Sequence, residues 1–283
     1  MAERLPTIFL LASLLFLSGV LSMSILTIEN KCNYTVWPAI FSWQSQVSTT
    51  GFTLRSGEAR ALLAPSSWRG LISGRTLCSN DLTGKFSCIT GDCESGKIEC
   101  PGTYSWSQVT YVFLRIDNGG IDTYNISVEY GYNLPIKVVP AQSSSRRCMS
   151  SSCVVDLNKT CPNDLKKLVE GKTIGCSSAC RKVNTSETCC SHDFKSKQKC
   201  KPTLYTQNFE RVCPFTNRTF VCPNSTDYVI TFCPSSSLNN TRINNRSSVT
   251  PLAGPKHSSR QKLKPILGTT FIATTSLLLI HIS

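Results

Sequence analysis

The sequence predicts a mainly β body, held together by disulfides and flanked by two apolar end segments. Three observations carry that reading. All 16 cysteines of the 283-residue chain lie between Cys32 and Cys233. Short runs of β-branched and aromatic residues recur between Gly, Pro, Asn and Ser, as strands between turns do. Long apolar runs occur only at the two ends, which excludes a chain that crosses a membrane many times. Apolar residues make up 40% of the sequence, enough for a core, which excludes a disordered protein.

Residues 1–24 open with Met1 and Arg4, run apolar from Ile8 to Leu17, and then carry small residues at Ser18, Gly19, Ser22 and Ser24. A basic start, an apolar segment too short to span a bilayer and small residues where a peptidase cuts predict a secretory signal peptide. The folded body is expected over residues 25–235. Within it Tyr34–Trp37, Val109–Leu114, Asn125–Glu129 and Asp227–Phe232 read as strands, and Asp117-Asn-Gly-Gly120 reads as a turn. Cys161–Glu170 predicts one short helix: Pro162 suits a first turn, Leu165, Leu168 and Val169 share a face, and Gly171 closes it. Residues 148–200 otherwise combine eight cysteines with few large apolar groups, so that segment is expected to be stapled more than packed.

Residues 236–264 are rich in Ser, Asn, Thr and Arg without a period, the composition of a flexible stalk. Residues 265–283 are apolar to the end, with His281 the only ionisable side chain and no basic stop signal behind them. Small residues at Ser247, Ser248, Ala253 and Gly254, a polar spacer and this tail predict attachment of a glycosylphosphatidylinositol anchor at one of those four positions. The protein is expected to be secreted and held at the outer face of the plasma membrane or in the cell wall.

The formal net charge is +13. Trimmed to residues 25–248, the chain loses five of its 30 basic residues and one of its 17 acidic ones, which leaves about +9. Such a body suits acidic surfaces such as a pectic wall or anionic lipid. Nucleic acid is not an expected partner, because the charge is scattered and the compartment is wrong. In that compartment an even number of cysteines implies disulfides. A zinc site built from Cys176 and Cys180, or from Cys189 and Cys190 beside His192, would need thiolates that an oxidising environment removes. No metal and no cofactor is expected. Spacing alone leaves the disulfide connectivity open.

Several motifs then resemble one family. Gly84-Lys-Phe-Ser-Cys88-Ile-Thr90-Gly91-Asp92-Cys93-Glu-Ser-Gly96-Lys-Ile-Glu-Cys100 is similar to the signature of thaumatin-like proteins, the plant pathogenesis-related thaumatin type. Cys32-Asn-Tyr-Thr-Val-Trp37 looks like the first strand of that family. Gly74-Arg75-Thr76-Leu-Cys78, Gly131-Tyr-Asn-Leu-Pro135, Cys189-Cys190 and Tyr228-Val-Ile-Thr-Phe-Cys233-Pro234 follow in the family order. The resemblance implies a flattened β-sandwich with two disulfide-rich appendages, here about residues 78–101 and 148–213, the larger carrying the short helix. It also implies the pairs Cys32–Cys233, Cys78–Cys88, Cys93–Cys100, Cys148–Cys222, Cys153–Cys213, Cys161–Cys176, Cys180–Cys189 and Cys190–Cys200.

Many thaumatin-like proteins carry an acidic cleft, usually made by one Arg, one Glu and three Asp, which is linked to binding and sometimes weak hydrolysis of β-1,3-glucans. Glycoside hydrolysis needs two carboxylates facing one bond. Carried over position by position, the Arg falls at Leu71, the Glu at Tyr111, the first Asp at Asn125 and the second at Tyr130. The third belongs to a loop that is shortened here to Pro214–Val221 and holds no acid. Asp122 remains nearby, and so does Glu129, whose aim the pleat leaves open. No catalytic residue is therefore expected, and the cleft reads as degenerate.

Asparagine sequons stand at Asn33, Asn125, Asn158, Asn184, Asn217, Asn224, Asn239 and Asn245. Asn125 occupies a cleft position, so a glycan there would fill or roof the cleft. The expected function is that of a non-catalytic module of plant defence or wall association, binding a cell-wall or microbial glycan or a surface protein, with the membrane reached through the lipid anchor. The competing expectation is an antifungal β-1,3-glucan hydrolase or a membrane-permeabilising defence protein.

Overall fold

A computed structural model of the protein describes residues 23–235, apart from 45, 103–107, 118, 142–147, 187, 190–203, 217 and 224–226. The strands in chain order are β1 (Met23–Asn30), β2 (Trp37–Gln44), β3 (Ala59–Pro65), β4 (Arg69–Asn80), β5 (Phe86–Thr90), β6 (Tyr111–Arg115), β7 (Ile121–Ser127), β8 (Ile136–Pro140), β9 (Ser151–Cys153), β10 (Lys166–Val169) and β11 (Lys172–Cys176). Two helices follow, α1 (Ala179–Val183) and α2 (Leu204–Val212), and then β12 (Phe220–Pro223) and β13 (Tyr228–Phe232).

Two sheets form the body. One has the order β3-β1-β13-β8-β9. The other has the order β12-β7-β6-β4-β2, with β5 paired to the far half of β4. Strict alternation along the strands builds the space between them. On one side Leu26, Ile28, Ile136, Val138, Ile230 and Phe232 are fully buried. On the other, Ile40, Ile72, Val112 and Ile126 lie in register across β2, β4, β6 and β7, and are equally buried. All join one core. The chain is mainly β, as the sequence predicts.

The first strand is β1, not Cys32–Trp37. Met23–Asn30 alternates buried and exposed residues, but it runs on from the apolar leader, which hides its period. It pairs in parallel with β13, the last strand, and antiparallel with β3. Residues 34–36 lead into β2, where Val36 bridges Leu54.

The helix expected at Cys161–Glu170 is a hairpin. Pro162 precedes a three-residue 3-10 turn, Asn163–Leu165, and the chain then pairs β10 with β11. Glu170 and Gly171 both have positive φ, 48° and 75°, which makes a two-residue turn of the kind that joins twisted strands. Of the supposed apolar face only Leu165 is buried; Leu168 is 57% exposed. The backbone of Cys176 exchanges two hydrogen bonds of 2.7 Å with Tyr132, which holds the hairpin against the sandwich. Helix α2 carries Tyr205, Phe209 and Val212 at helical spacing, a stripe of only two turns among polar residues. Phe209 is buried, and Cys213 just beyond the helix bonds Cys153.

The larger appendage is packed as well as stapled. β9 extends the first sheet, and Leu157, Leu165 and Phe209 enter the main core with Cys153, Cys161, Cys176 and Cys213. The smaller appendage is tied down by Arg75, which is fully buried. Its guanidinium donates to the carbonyls of Trp37, Pro38 and Ile98 and lies over the Phe86 ring.

One buried amide joins these parts. Asn133 Nδ2 donates to Gly74 O (2.7 Å) on β4 and to Thr90 Oγ1 (2.9 Å) on β5. Asn133 Oδ1 accepts from the backbone N–H of Thr110 and Leu134. Its backbone carbonyl accepts from Asn158 Nδ2 in the larger appendage. Removing the amide by Asn133→Ala strands several buried polar groups, at about 1–3 kcal/mol each. The expected loss is at least about 3 kcal/mol, read as a drop of several degrees in the thermal midpoint. A shift within error of the parent would show that the hub carries little.

Candidate functional site

The outer face of the six-stranded sheet carries the positions to which the resemblance assigns a cleft. On this face the pleat sets Phe41, Leu71, Phe113 and Asn125 side by side across β2, β4, β6 and β7. The next row is Ala39, Ser73, Tyr111 and Ser127. Leu71 and Tyr111 are buried to within 7% by their neighbours, and Phe41, Phe113 and Tyr130 pack against them with Val109. Tyr130 follows the end of β7, and its ring centroid lies 5.4 Å from that of Tyr111. The structure therefore brings Leu71, Tyr111, Asn125 and Tyr130 onto one face, and that face is apolar and aromatic.

Asp122 is not part of it. Even-numbered residues of β7 point inward, as buried Tyr124 and Ile126 do, and Asp122 is 1% exposed. Its Oδ1 accepts from the Asp117 N–H (2.8 Å) and its Oδ2 from the Tyr228 hydroxyl (2.8 Å). The carboxylate closes the β6–β7 turn and ties β7 to β13. Burial pushes its pKa up, against the two hydrogen bonds, which pull it down. The Tyr124 phenol beside it is pushed up to about 12, by burial first and then by the Asp122 charge.

Glu129, whose aim the sequence leaves open, is the carboxylate at the rim. It is exposed, and its Oε2 accepts from Tyr111 Oη (3.1 Å). Burial raises the Tyr111 phenol above the usual range, and the Glu129 charge adds to this. Tyr130 is raised for the same two reasons, while the Arg181 guanidinium opposes them. A hydrolytic pair would need a second carboxylate across this face, and Leu71, Tyr111, Asn125 and Tyr130 supply none.

Of the cationic part of the face, sequence reasoning marks only Arg69, two places from Leu71. Arg69 on β4 stacks over Trp43 (5.0 Å) and Phe113 (5.5 Å). Arg181 on α1 stacks over Tyr130 (4.8 Å). Trp43 is 46% exposed and meets Phe41 edge-on at 4.9 Å. Only the strand register could have revealed these neighbours, because Trp43 is 26 residues from Arg69 in the chain and Arg181 is further still from β4.

The structure joins Cys32–Cys233, Cys78–Cys88, Cys93–Cys100, Cys148–Cys222, Cys153–Cys213, Cys161–Cys176 and Cys180–Cys189. Cys190 and Cys200 lie outside the described residues. So do Asn217, Asn224, Asn239, Asn245, Ser247, Ser248, Ala253 and Gly254. Among the described residues no group of three or more His, Cys, Asp and Glu is arranged to hold a metal ion. Asn33 and Asn184 are exposed. Asn125 is half-buried, and its Oδ1 is buried without a hydrogen-bond partner. Asn158 is different: its Nδ2 is engaged by Asn133 O at 2.8 Å.

Comparison with known proteins gives a consistent picture. The model of the thaumatin family matches residues 30–234. "Thaumatin-like protein 1a" of Malus domestica is 42% identical over 234 residues, covering 78% of this chain and 94% of its own. "PR5-like receptor kinase" of Arabidopsis thaliana is 44% identical over 285 residues, covering 95% of this chain. The present chain spans 42% of that relative's length. Among solved structures, the thaumatin-like xylanase inhibitor covers 74% of this chain and 99% of its own, at 23% identity and a TM-score of 0.41.

Two expected outcomes test this geometry. A carboxyl group with a raised folded-state pKa contributes most to stability below its unfolded pKa, and that contribution is lost as pH rises through the folded one. Asp122→Asn should therefore gain stability relative to the parent as pH rises through the carboxylate range, measured by thermal unfolding across a pH series. The opposite slope would contradict the assignment. Peptide mass mapping of the secreted protein should find glycan on Asn33 and Asn184 and leave Asn158 bare; a fully occupied Asn158 would contradict its buried hydrogen bond.

Proposed function

The chain belongs to the thaumatin family, and on that premise we propose that it is a secreted, surface-tethered binding module of plant defence or wall association, without hydrolytic activity. The observation that carries the reading is the outer sheet face. Where a glucan-cleaving cleft would place facing carboxylates, this chain places Leu71, Tyr111, Asn125 and Tyr130, and Asp122 points into the core. An aromatic face with two stacked guanidinium groups binds; one rim carboxylate cannot run a two-carboxylate mechanism.

A sensing role is the second reading, favoured by one observation. The match to the relative named as a receptor kinase covers 95% of this chain, well beyond residues 30–234. The body would then report a bound ligand from the cell surface. The tether in either case is the lipid anchor, attached at Ser247, Ser248, Ala253 or Gly254. No helix among the described residues is long and apolar enough to cross a membrane.

Two measurements test the proposal. A reducing-sugar assay on linear β-1,3-glucan should show no release above a heat-inactivated control; sustained release would restore the hydrolase reading. Expressed in plant cells, the protein should be freed from the surface by phosphatidylinositol-specific phospholipase C. Recovery of a mature chain that still holds the peptide around Phe271 would exclude the lipid anchor.

A further inference from the structure

We propose that the outer face takes a polysaccharide of uronic acids, with Arg69 and Arg181 pairing with its carboxylates and the aromatic rings receiving its sugar rings. This rests on the binding-module reading above and names its ligand class. The argument starts from the two arginines. Each is exposed, and each places its guanidinium carbon over a ring: Arg69 over Trp43 and Phe113, Arg181 over Tyr130. Neither guanidinium takes part in an ion pair among the described residues. An exposed guanidinium placed over a ring and without an ion pair has N–H groups to offer, and a guanidinium can take a carboxylate through two parallel hydrogen bonds.

The two forks stand at opposite ends of one contiguous strip. From the row of Arg69 to the row of Tyr111 the strand advances by four residues, about 13 Å. Tyr130 and Arg181 extend the strip beyond that, with successive stacking distances of 5.4 and 4.8 Å. Between the ends lie Leu71, Phe113 and Phe41, a flat apolar floor. Charge repeats along such a face suit a chain that carries a carboxylate at intervals on rings with apolar faces. A neutral glucan could use the floor but would leave both forks unpaired.

Of the two described carboxylates set beside the strip, one is paired and the other faces the cations of its own end. Asp117, at the Arg69 end, is paired with Arg115 (3.3 Å). Glu129, at the other end, accepts from the Tyr111 hydroxyl. Lys167 adds charge beside the Tyr130 end, where its Nζ lies 3.4 Å from Gln108 Oε1; Gln108 in turn donates its N–H to Tyr130 O.

The test titrates the mature protein by calorimetry with oligogalacturonate, with the same oligomer fully methyl-esterified, with linear β-1,3-glucan and with oligoglutamate, at about 0.15 M salt, where weak surface attraction is screened. The acidic oligomer should bind at least about tenfold more tightly than its ester. Arg69→Gln and Arg181→Gln should each weaken it by about tenfold, the loss of one charge-assisted pairing. Lys159→Gln and Lys172→Gln, exposed changes off the strip, should leave it unchanged. Equal affinity for acid and ester, or equal losses in the lysine variants, would overturn the proposal. Binding of β-1,3-glucan alone would overturn the ligand class while leaving the module reading intact. Tight binding of oligoglutamate with the same arginine dependence would assign the strip to an acidic protein segment and overturn the glycan. Hydrolysis of the glucan would overturn the module reading itself.

Discussion

The side-chain amide of Asn133 is the constraint on which the arrangement of the body depends. It is 4% exposed, and both its polar atoms are used twice. Through Gly74 it reaches β4, through Thr90 the smaller appendage and through Thr110 the entry to β6, while the backbone carbonyl of the same residue accepts from Asn158 in the larger appendage. Thr90 passes the network on to Thr76 at 2.7 Å. In a desolvated setting such bonds are obligatory, because an unmade one leaves a polar group with no water to turn to. The network therefore sets position as much as stability. Thr110 is the residue before Tyr111, and Tyr130 lies three residues before Asn133. The rings that define the candidate site hang from the backbone this amide fixes.

A second constraint closes the body. β1 and β13 pair in parallel across the middle of one sheet, and Cys32–Cys233 locks the pair just past its end, over a separation of 201 residues. Closing so long a loop removes unfolded-state entropy worth about 5 kcal/mol by the chain-entropy account. The free face of the other sheet is then not needed for closure. It can carry exposed aromatic rings and unpaired guanidinium groups without loss of the fold.

Strand alternation connects that fold to function. Shifting β7 by one residue would put Asp122 on the outer face and Asn125 in the core. The register that forbids this is set by Ile126 and Tyr124, which fill the core, and by the hydrogen bond from Tyr228 to Asp122. A carboxylate used as a turn clasp and cross-sheet tie is unavailable for chemistry at the surface. The outer row is then free to be apolar at β4 and β6, and the cations stack on it rather than pairing with acids.

The sequence by itself determined the β class, the disulfide-rich body and the family resemblance, and that resemblance singled out Leu71, Tyr111, Asn125 and Tyr130. These are local matters: residue type, spacing and turn chemistry are visible along the chain. It misread Cys161–Glu170 as a helix, because the spacing of Leu165, Leu168 and Val169 fits a helical face that the tertiary structure never buries. It missed β1 and α2 for related reasons. The period of the one merges with the apolar leader, and the stripe of the other, Tyr205, Phe209 and Val212, spans only two turns among polar residues. Only the tertiary structure decided that Asp122 points inward, that Glu129 stands at the rim, and that Arg69 and Arg181 frame an aromatic strip. Those facts depend on strand register and on contacts between residues far apart in the chain, and a one-dimensional pattern carries the alternation but not which neighbour it will meet.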